Sequence, residues 1–205
     1  MTLNRSGRNR IGTAGEPLPA TQLRIKDDGE IVVRGPQVTI GCADERAIQP
    51  FEDGWLLTGD LGHLTLDGAL VIDGRRKDLI KTAYGKYLNP SKTESMLRSI
   101  PGVAEAMVVG EGRPFCAALM WIDGSMAQER ISAIGTSIDR VNARLSHPER
   151  VKRWTLLEND LSVVNGDLTP NLKLKRDRVA ERLRSTIDHL YATSNVSPVD
   201  EGAHV

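Results

Sequence analysis

The sequence predicts an α+β fold in two parts, a small partial β subdomain followed by a compact α+β domain. Residues 11–73 contain short apolar runs separated by tight turns, which is typical of β-strands. Residues 78–191 combine apolar strands with apolar residues at helical spacing, which indicates helices and strands around one sheet. Between these parts, five of the eight residues of segment 74–81 are charged, as suits an exposed junction.

The β part is defined by its turns. Asp27-Asp28-Gly29 and Asp67-Gly68 are tight-turn sequences, and each lies between two runs with strand character. Residues 1–10 contain three arginines and no apolar stretch, so we expect a frayed leader there. Strands are predicted at residues 22–26, 30–34, 55–57, 61–66 and 69–73.

The α+β part begins with a strong helix signal. Asn89 supplies a cap, and Pro90 occupies the first helical position. Residues 192–205 lack periodicity and are expected to form a disordered tail. Strands are predicted at residues 103–109, 116–122 and 154–157, and further helices around residues 138–145 and 179–190.

Composition excludes several functional classes. The 205 residues contain 27 basic and 27 acidic side chains, so charge gives no reason to expect nucleic acid or an anionic membrane as partner. No apolar run approaches the ~20 residues of a membrane span, and no signal peptide is apparent. The two cysteines fit a reducing compartment, and the four histidines lack metal spacing. We therefore expect a cytoplasmic protein without a metal site of its own.

Segment 54–62 places Asp60 beside glycines, which would let a ligand approach the backbone closely. A carboxylate at such a turn can accept hydrogen bonds from two vicinal hydroxyls, as a ribose presents them. The alternative is a turn aspartate that bonds its own backbone. Arg75 follows after a strand, and its guanidinium can reach hydroxyl, carboxylate or phosphate oxygens. The alternative interpretation of Arg75 is that it is a solvated surface charge beside Arg76 and Lys77.

Segment 168–176 contains two lysines ahead of a predicted helix. If the segment is extended, Lys173 and Lys175 point one way and the intervening leucines the other. Such a lysine can be delivered into an active site as a mobile positive charge. One alternative is a basic strand end, and another is a nucleic-acid or lipid patch over residues 171–184, where acidic residues interleave with the basic ones.

The order and spacing of these motifs resemble the adenylate-forming superfamily of acyl-CoA synthetases, luciferases and peptide-synthetase adenylation domains. Within it, the chain looks most like the C-terminal portion of the long-chain fatty acyl-CoA ligases, and the resemblance runs over residues 11–191. Four segments match family motifs: residues 53–60 (DGW..TGD), 74–81 (GRxKDxIK), 84–90 (GGKxxxP) and 168–176 (LTPTLKxKR).

The resemblance implies roles for individual residues in an ATP-dependent, magnesium-assisted activation of a fatty acid. Asp60 would bind the ribose hydroxyls of ATP, and Arg75 would assist. Lys77 falls on the hinge position within predicted hinge 74–77. Lys173 falls on the adenylation lysine, which would hold the fatty acid carboxylate against the α-phosphate.

The resemblance also implies a second step, in which Tyr84, Gly85 and Lys86 line the channel for the thiol of CoA. Tyr84 replaces a small residue of the family pattern there and could narrow the channel. Cys42 replaces a usual aromatic residue, and Asn171 replaces a common threonine.

The family's phosphate loop, adenine-binding segment and acyl tunnel correspond to parts of the family upstream of Ile11. We therefore expect the chain to be inactive alone and to need an N-terminal domain, or a fragment supplying it, as partner. One rival hypothesis is a non-catalytic binding or regulatory module of the same fold. The other is a nucleic-acid or membrane binder acting through residues 171–184.

Overall fold

A computed structural model of the protein describes residues 1–39, 50–123, 128–158 and 160–192. The chain forms two compact units, Met1–Leu79 and Ile80 onward. Across the described ranges, no helix is both long and apolar enough to cross a membrane. Cys42 and residues 193–205 of the expected tail lie outside the described residues.

The first unit is built from antiparallel strands. They are β1 (Thr2–Leu3), β2 (Glu16–Pro17), β3 (Gln22–Ile25), β4 (Glu30–Arg34), β5 (Phe51–Glu52), β6 (Trp55–Leu64) and β7 (Leu70–Arg75). In the main sheet, β3, β4, β6 and β5 are neighbours in that order, and β7 also pairs with β6. Ile31, Val33 and Leu70 form its buried apolar core. A 3-10 helix, Arg76–Asp78, follows β7.

The structure corrects two expectations for this unit. The leader is not frayed at its start, because β1 pairs with β2. The predicted strands 55–57 and 61–66 are one strand, β6, whose register shifts between Leu61 and Gly62. A Cβ at Gly62 would lie 2.2 Å from the carbonyl oxygen of Val71, so the close approach of β7 requires glycine there.

The first two residues of the predicted hinge 74–77 belong to a β-strand of the first unit. Gly74 and Arg75 complete β7, where they pair with Leu61 and Asp60. Lys77 lies in the following 3-10 helix and is exposed. Its hinge role stays a prediction.

The second unit alternates strands and helices, as predicted. Its elements are β8 (Ile80–Lys81), β9 (Tyr87–Leu88), α1 (Pro90–Arg98), β10 (Val103–Val109), β11 (Cys116–Ile122), α2 (Gln128–Asn142), a 3-10 helix (His147–Glu149), β12 (Val151–Glu158), α3 (Arg176–Arg182) and α4 (Arg184–Ala192). The central strand β11 pairs antiparallel with β10 and parallel with β12.

The second unit is a sandwich of helices on both faces of this sheet. Every residue of β11 is buried, which is why that strand is apolar throughout. Met120 faces one core, where the sheet packs against α1 and α2 through residues such as Leu97 and Ile138. Trp121 faces the other core, where the sheet packs against α3 and α4 through residues such as Val179.

Candidate functional site

Asp60 and Arg75 are directly opposite each other on neighbouring strands of the first unit. They are register partners in β6 and β7, and Arg75 Nε lies 3.0 Å from Asp60 Oδ1. The Asp60 side chain is 26% exposed and that of Arg75 is 54% exposed, so both can be reached from solvent. The sequence predicted both residues separately, and the hairpin brings them together.

A shallow cleft of about 470 Å³ lies beside this pair. It is lined by Thr58, Gly59, Arg75, Arg76 and Lys77. Arg75 and Arg76 are paired with carboxylates of the same unit, so Lys77 adds the positive charge that has no partner among the described residues, and Gly59 leaves one wall without a side chain. Such a surface suits an anionic ligand that also presents hydroxyl groups.

Glu30 organises this cleft from beneath and was not identified from the sequence. Although it is only 3% exposed, its carboxylate accepts hydrogen bonds from Gly59 N–H at 3.1 Å and Arg76 Nη1 at 3.1 Å. Arg76 also pairs with Asp28, whose pKa is lowered mainly by a hydrogen bond from the Glu30 backbone, with Arg76 contributing. The available signal was a charged residue directly before the apolar run Ile31–Val33 of the predicted strand.

Tyr84, Gly85 and Lys86 form one exposed turn in the second unit. Gly85 N–H donates to Thr82 O at 2.9 Å, and Thr82 N–H donates to Lys86 O at 2.9 Å. The φ angle of Gly85 is 73°, which explains the need for glycine. The ring of Tyr84 is 77% exposed and projects from the turn. Thr82, which is buried and closes the turn, was not identified from the sequence.

Lys173 lies in a tight hairpin formed by residues 168–174, which we call the lysine hairpin. Its first and last residues pair, and Thr169 N–H donates to Lys173 O at 2.8 Å. The turn closes through Leu172 N–H to Thr169 O, also 2.8 Å, with Leu172 at φ 56°. The extended conformation considered for this segment does not hold at residues 169–172, where Pro170 and Asn171 favour a turn.

The side chain of Lys173 is exposed, and its ammonium group makes no hydrogen bond or ion pair to any described residue. The backbone of the hairpin alone therefore sets where this charge is presented. In contrast, the guanidinium of Arg176 is held in place. It lies 2.5 Å from Glu94 Oε1 and donates to Val108 O at 2.7 Å.

Three of the six basic residues in segment 171–184 are paired with acidic residues of their own unit. Arg176 pairs with Glu94, Arg178 with Glu181, and Arg182 with Asp160. This pairing gives no support to a nucleic-acid or lipid patch. Among the described residues, no group of three or more His, Cys, Asp or Glu could hold a metal ion.

Comparison with known proteins decides the family. Residues 77–195 match the family described as the AMP-binding enzyme C-terminal domain. The chain belongs to the AMP-binding enzyme family. The matched range covers more than half of the chain and contains the turn of Tyr84 and the lysine hairpin.

Curated relatives of this AMP-binding enzyme are fatty acid ligases. It is 38% identical to the long-chain-fatty-acid–CoA ligase FadD15 of Mycobacterium tuberculosis, over 89% of this chain and 34% of that protein. It is 35% identical to the putative fatty-acid–CoA ligase fadD11 of the same species, over 96% of this chain and 38% of that protein. The chain therefore spans about a third of the length of these relatives.

Solved structures give the same fold. The o-succinylbenzoate coenzyme A synthetase of Bacillus subtilis in complex with AMP superposes with a TM-score of 0.66 at 29% identity, over 82% of this chain and 35% of that chain. The didomain of a carboxylic acid reductase from Segniliparus rugosus superposes with a TM-score of 0.72 at 21% identity, which supports the fold alone. The expected α+β fold and family are thus confirmed.

Proposed function

We propose that this chain supplies the C-terminal catalytic part of an ATP-dependent fatty acid–CoA ligase. The observation that carries the proposal is Lys173, an unpaired, exposed ammonium presented by a hairpin within the matched AMP-binding C-terminal domain. The identity to FadD15, named a long-chain-fatty-acid–CoA ligase, supports a long-chain fatty acid as the substrate.

In the first half-reaction, a carboxylate oxygen of the fatty acid attacks the α-phosphorus of ATP, and the bond to pyrophosphate breaks. Negative charge grows on the phosphoryl oxygens as this happens. Lys173 holds the carboxylate against the phosphate and offsets the growing charge, and preorganised charge of this kind is worth several kcal/mol. Because its ammonium has no protein partner among the described residues, it need not break an ion pair to act.

Asp60 and Arg75 bind the ribose of the nucleotide in this proposal. The carboxylate of Asp60 accepts hydrogen bonds from the vicinal hydroxyls, and the Arg75 guanidinium, whose Nε lies 3.0 Å from Asp60 Oδ1, holds it in orientation. The basic cleft beside the pair suits the phosphates. Magnesium arrives with the phosphates, as it commonly does in such sites.

In the second half-reaction, the thiol of CoA attacks the acyl-adenylate carbonyl and AMP leaves. The turn formed by Tyr84, Gly85 and Lys86 lines the thiol channel, and Lys77 serves as the hinge between the two half-reactions. The exposed ring of Tyr84 makes it the residue of this turn that most restricts the channel.

The test is pyrophosphate release from ATP and a panel of fatty acids. The chain is assayed alone and mixed with the upstream portion of FadD15, and association of the two pieces is verified. We expect release only in the mixture. A folded, associated but silent mixture would instead support the rival hypothesis of a binding or regulatory module.

Two substitutions assign the role of the lysine. Lys173→Ala should lower adenylate formation by about 10²-fold or more, as loss of a transition-state charge typically does. It should change thioester formation from preformed acyl-adenylate only slightly. Lys175→Ala, an exposed lysine two residues away, is the matched control. Equal losses in both half-reactions would refute the role of Lys173.

A further inference from the structure

Arg182, Asp160 and Asp167 form a charged network behind the lysine hairpin. Arg182 Nη1 lies 2.6 Å from Asp160 Oδ2 and Arg182 Nη2 lies 3.3 Å from Asp160 Oδ1. On its other side, Arg182 Nε lies 3.1 Å from Asp167 Oδ1. One guanidinium on α3 therefore bridges two carboxylates that lie on the chain before the hairpin.

Asp167 directly precedes the lysine hairpin, and its backbone is hydrogen-bonded to the residue that directly follows the hairpin. Its carbonyl oxygen accepts a hydrogen bond from Lys175 N–H at 2.8 Å, which closes the hairpin just beyond its last residue. Its own N–H donates to Ser162 O at 3.1 Å, which connects the hairpin to the preceding loop. Any displacement of Asp167 therefore displaces both ends of the hairpin.

The carboxylate of Asp167 depends on Arg182. Asp167 is 0% exposed, and neither of its carboxylate oxygens has a hydrogen-bond partner among the described residues. The contact with Arg182 has the distance of an ion pair without hydrogen-bond geometry. A buried charge without compensation is strongly destabilising, so removal of Arg182 would favour movement of Asp167 toward water.

We propose that Arg182 and Asp167 are positioning residues that hold the lysine hairpin in place for Lys173. Neither residue contacts the Lys173 ammonium; they act through the backbone bond between Asp167 and Lys175. Since this ammonium has no partner of its own among the described residues, its location is only as well defined as the hairpin. This inference rests on the proposed adenylation role of Lys173.

Amide exchange measured by NMR on the full chain tests the structural half of this inference. Arg182→Gln should accelerate exchange of the Lys175 amide by about tenfold or more, as a local opening does, while the Leu119 amide of β11 keeps its rate. Asp167→Asn loses the attraction to Arg182 but also removes the buried charge, so it should accelerate exchange less than Arg182→Gln does, and Arg182→Lys should restore part of the protection. Arg184→Gln, an exposed arginine at the start of α4, is the matched control.

The catalytic half uses the mixture with the upstream ligase portion. Arg182→Gln should lower pyrophosphate release by about 10-fold to 10²-fold, the range typical of a misplaced catalytic group, with thioester formation from preformed acyl-adenylate retained. Arg182→Lys should recover part of the loss.

Three results would overturn the inference. Unchanged exchange at Lys175 would mean that the network does not hold the hairpin. Equal acceleration at Lys175 and Leu119 would mean that it only stabilises the whole unit. Altered exchange with normal pyrophosphate release would mean that hairpin position does not matter for adenylation. If the unmodified mixture is silent, the proposed function fails, and the exchange data alone decide the positioning role.

Discussion

At the scale of single residues, buried charges explain how the exposed candidate residues are held. Glu30 accepts hydrogen bonds from Gly59 N–H and Arg76, and so fixes both the backbone of β6 just before Asp60 and the arginine after Arg75. A carboxylate with 3% exposure is retained only where such partners satisfy it. The same logic applies to Asp167 and Arg182 in the second unit.

Glu30→Gln tests this arrangement. If the amide keeps its single oxygen for Gly59 N–H, its NH₂ group, which is a donor, faces the Arg76 guanidinium, which is also a donor. We expect the first unit to lose about 1–2 kcal/mol of unfolding free energy, within the range for a hydrogen bond to a charged group. Urea unfolding followed by the NMR amide signals of β4 and β6 measures the loss, because Trp121 and Trp154 of the second unit would contribute to the fluorescence together with Trp55.

Glu52→Gln is the matched control for that change. Glu52 is an exposed carboxylate that pairs with Lys26 in the same sheet, so water can replace the lost contact. Its unfolding midpoint should stay at that of the unmodified protein. If Glu30→Gln and Glu52→Gln give the same midpoint, Glu30 does not organise the cleft.

The candidate site residues could be predicted from the sequence because they lie in recognisable motifs. The buried residues that hold neighbouring groups in place could not be predicted in this way. Asp60, Arg75 and Lys173 stand at recognisable motif positions. The turn between β6 and β7 would by itself pair Asp60 with Gly74, and the register shift between Leu61 and Gly62 brings Asp60 opposite Arg75 instead. Glu30 and Arg182 are distant in sequence from the groups they hold. Their roles depend on tertiary contacts, which local spacing does not encode.

At the scale of elements, the cap of α1 links local sequence to the lysine segment. Asn89 Oδ1 accepts a hydrogen bond from Ser91 N–H at 3.1 Å, and Pro90 occupies the first turn. The helix that begins there carries Glu94, which accepts bonds from Val108 N–H and Arg176. The Asn89 cap stabilises the first turn of α1, and Glu94 on this helix pairs with Arg176. The cap therefore contributes to the position of Arg176 at the start of α3.

Asn89→Ala should lower the unfolding free energy of the second unit by about 1 kcal/mol, the usual cost of losing a side-chain cap. Asn89→Asp, which retains an acceptor, should restore most of it. The urea midpoint followed by far-UV circular dichroism measures both. Lys92→Ala, an exposed change in the first turn, serves as control. A midpoint for Asn89→Ala equal to that of Lys92→Ala would contradict a capping role.

The bounds of strands with a strong apolar pattern could be predicted from the sequence. The bounds of segments that contain glycines or tight turns were predicted less accurately. The predicted strands 103–109 and 116–122 agree with β10 and β11 at both ends, because β11 is apolar over its whole length and Glu105 is the one charged residue of β10. The split prediction for β6 failed because its glycines look like breaks, although Gly62 serves the close approach of β7. The lysine hairpin was missed because its leucines suggested alternation.

At the scale of the whole molecule, each unit has an apolar core of its own. The second unit buries residues on both faces of its sheet, and its two cores include residues from all four of its α-helices. Packing of this kind, with a fully buried central strand, is what an independently folding domain requires. The matched family range begins at residue 77, close to the boundary between the units.

We therefore expect a shortened chain, residues 80–205, to fold without residues 1–79. Cys116, the only cysteine it contains, reports on this directly, because burial raises the pKa of its thiol to about 11. At pH 8 the folded thiol stays protonated and shielded, whereas unfolding returns the pKa toward 9.0 and admits reagent. Labelling by a disulfide reagent should be negligible without urea and should appear in one cooperative transition.

An exposed cysteine provides the comparison for this measurement. Ser185→Cys, on the solvent-exposed side of α4, should react at once without urea, while Cys116 in the same molecule stays protected. Rapid labelling of both thiols in native buffer would show that the second unit needs residues 1–79 in order to fold. Protection of Cys116 with an unfolding midpoint equal to that of the full chain would show that the stability of the second unit does not depend on residues 1–79.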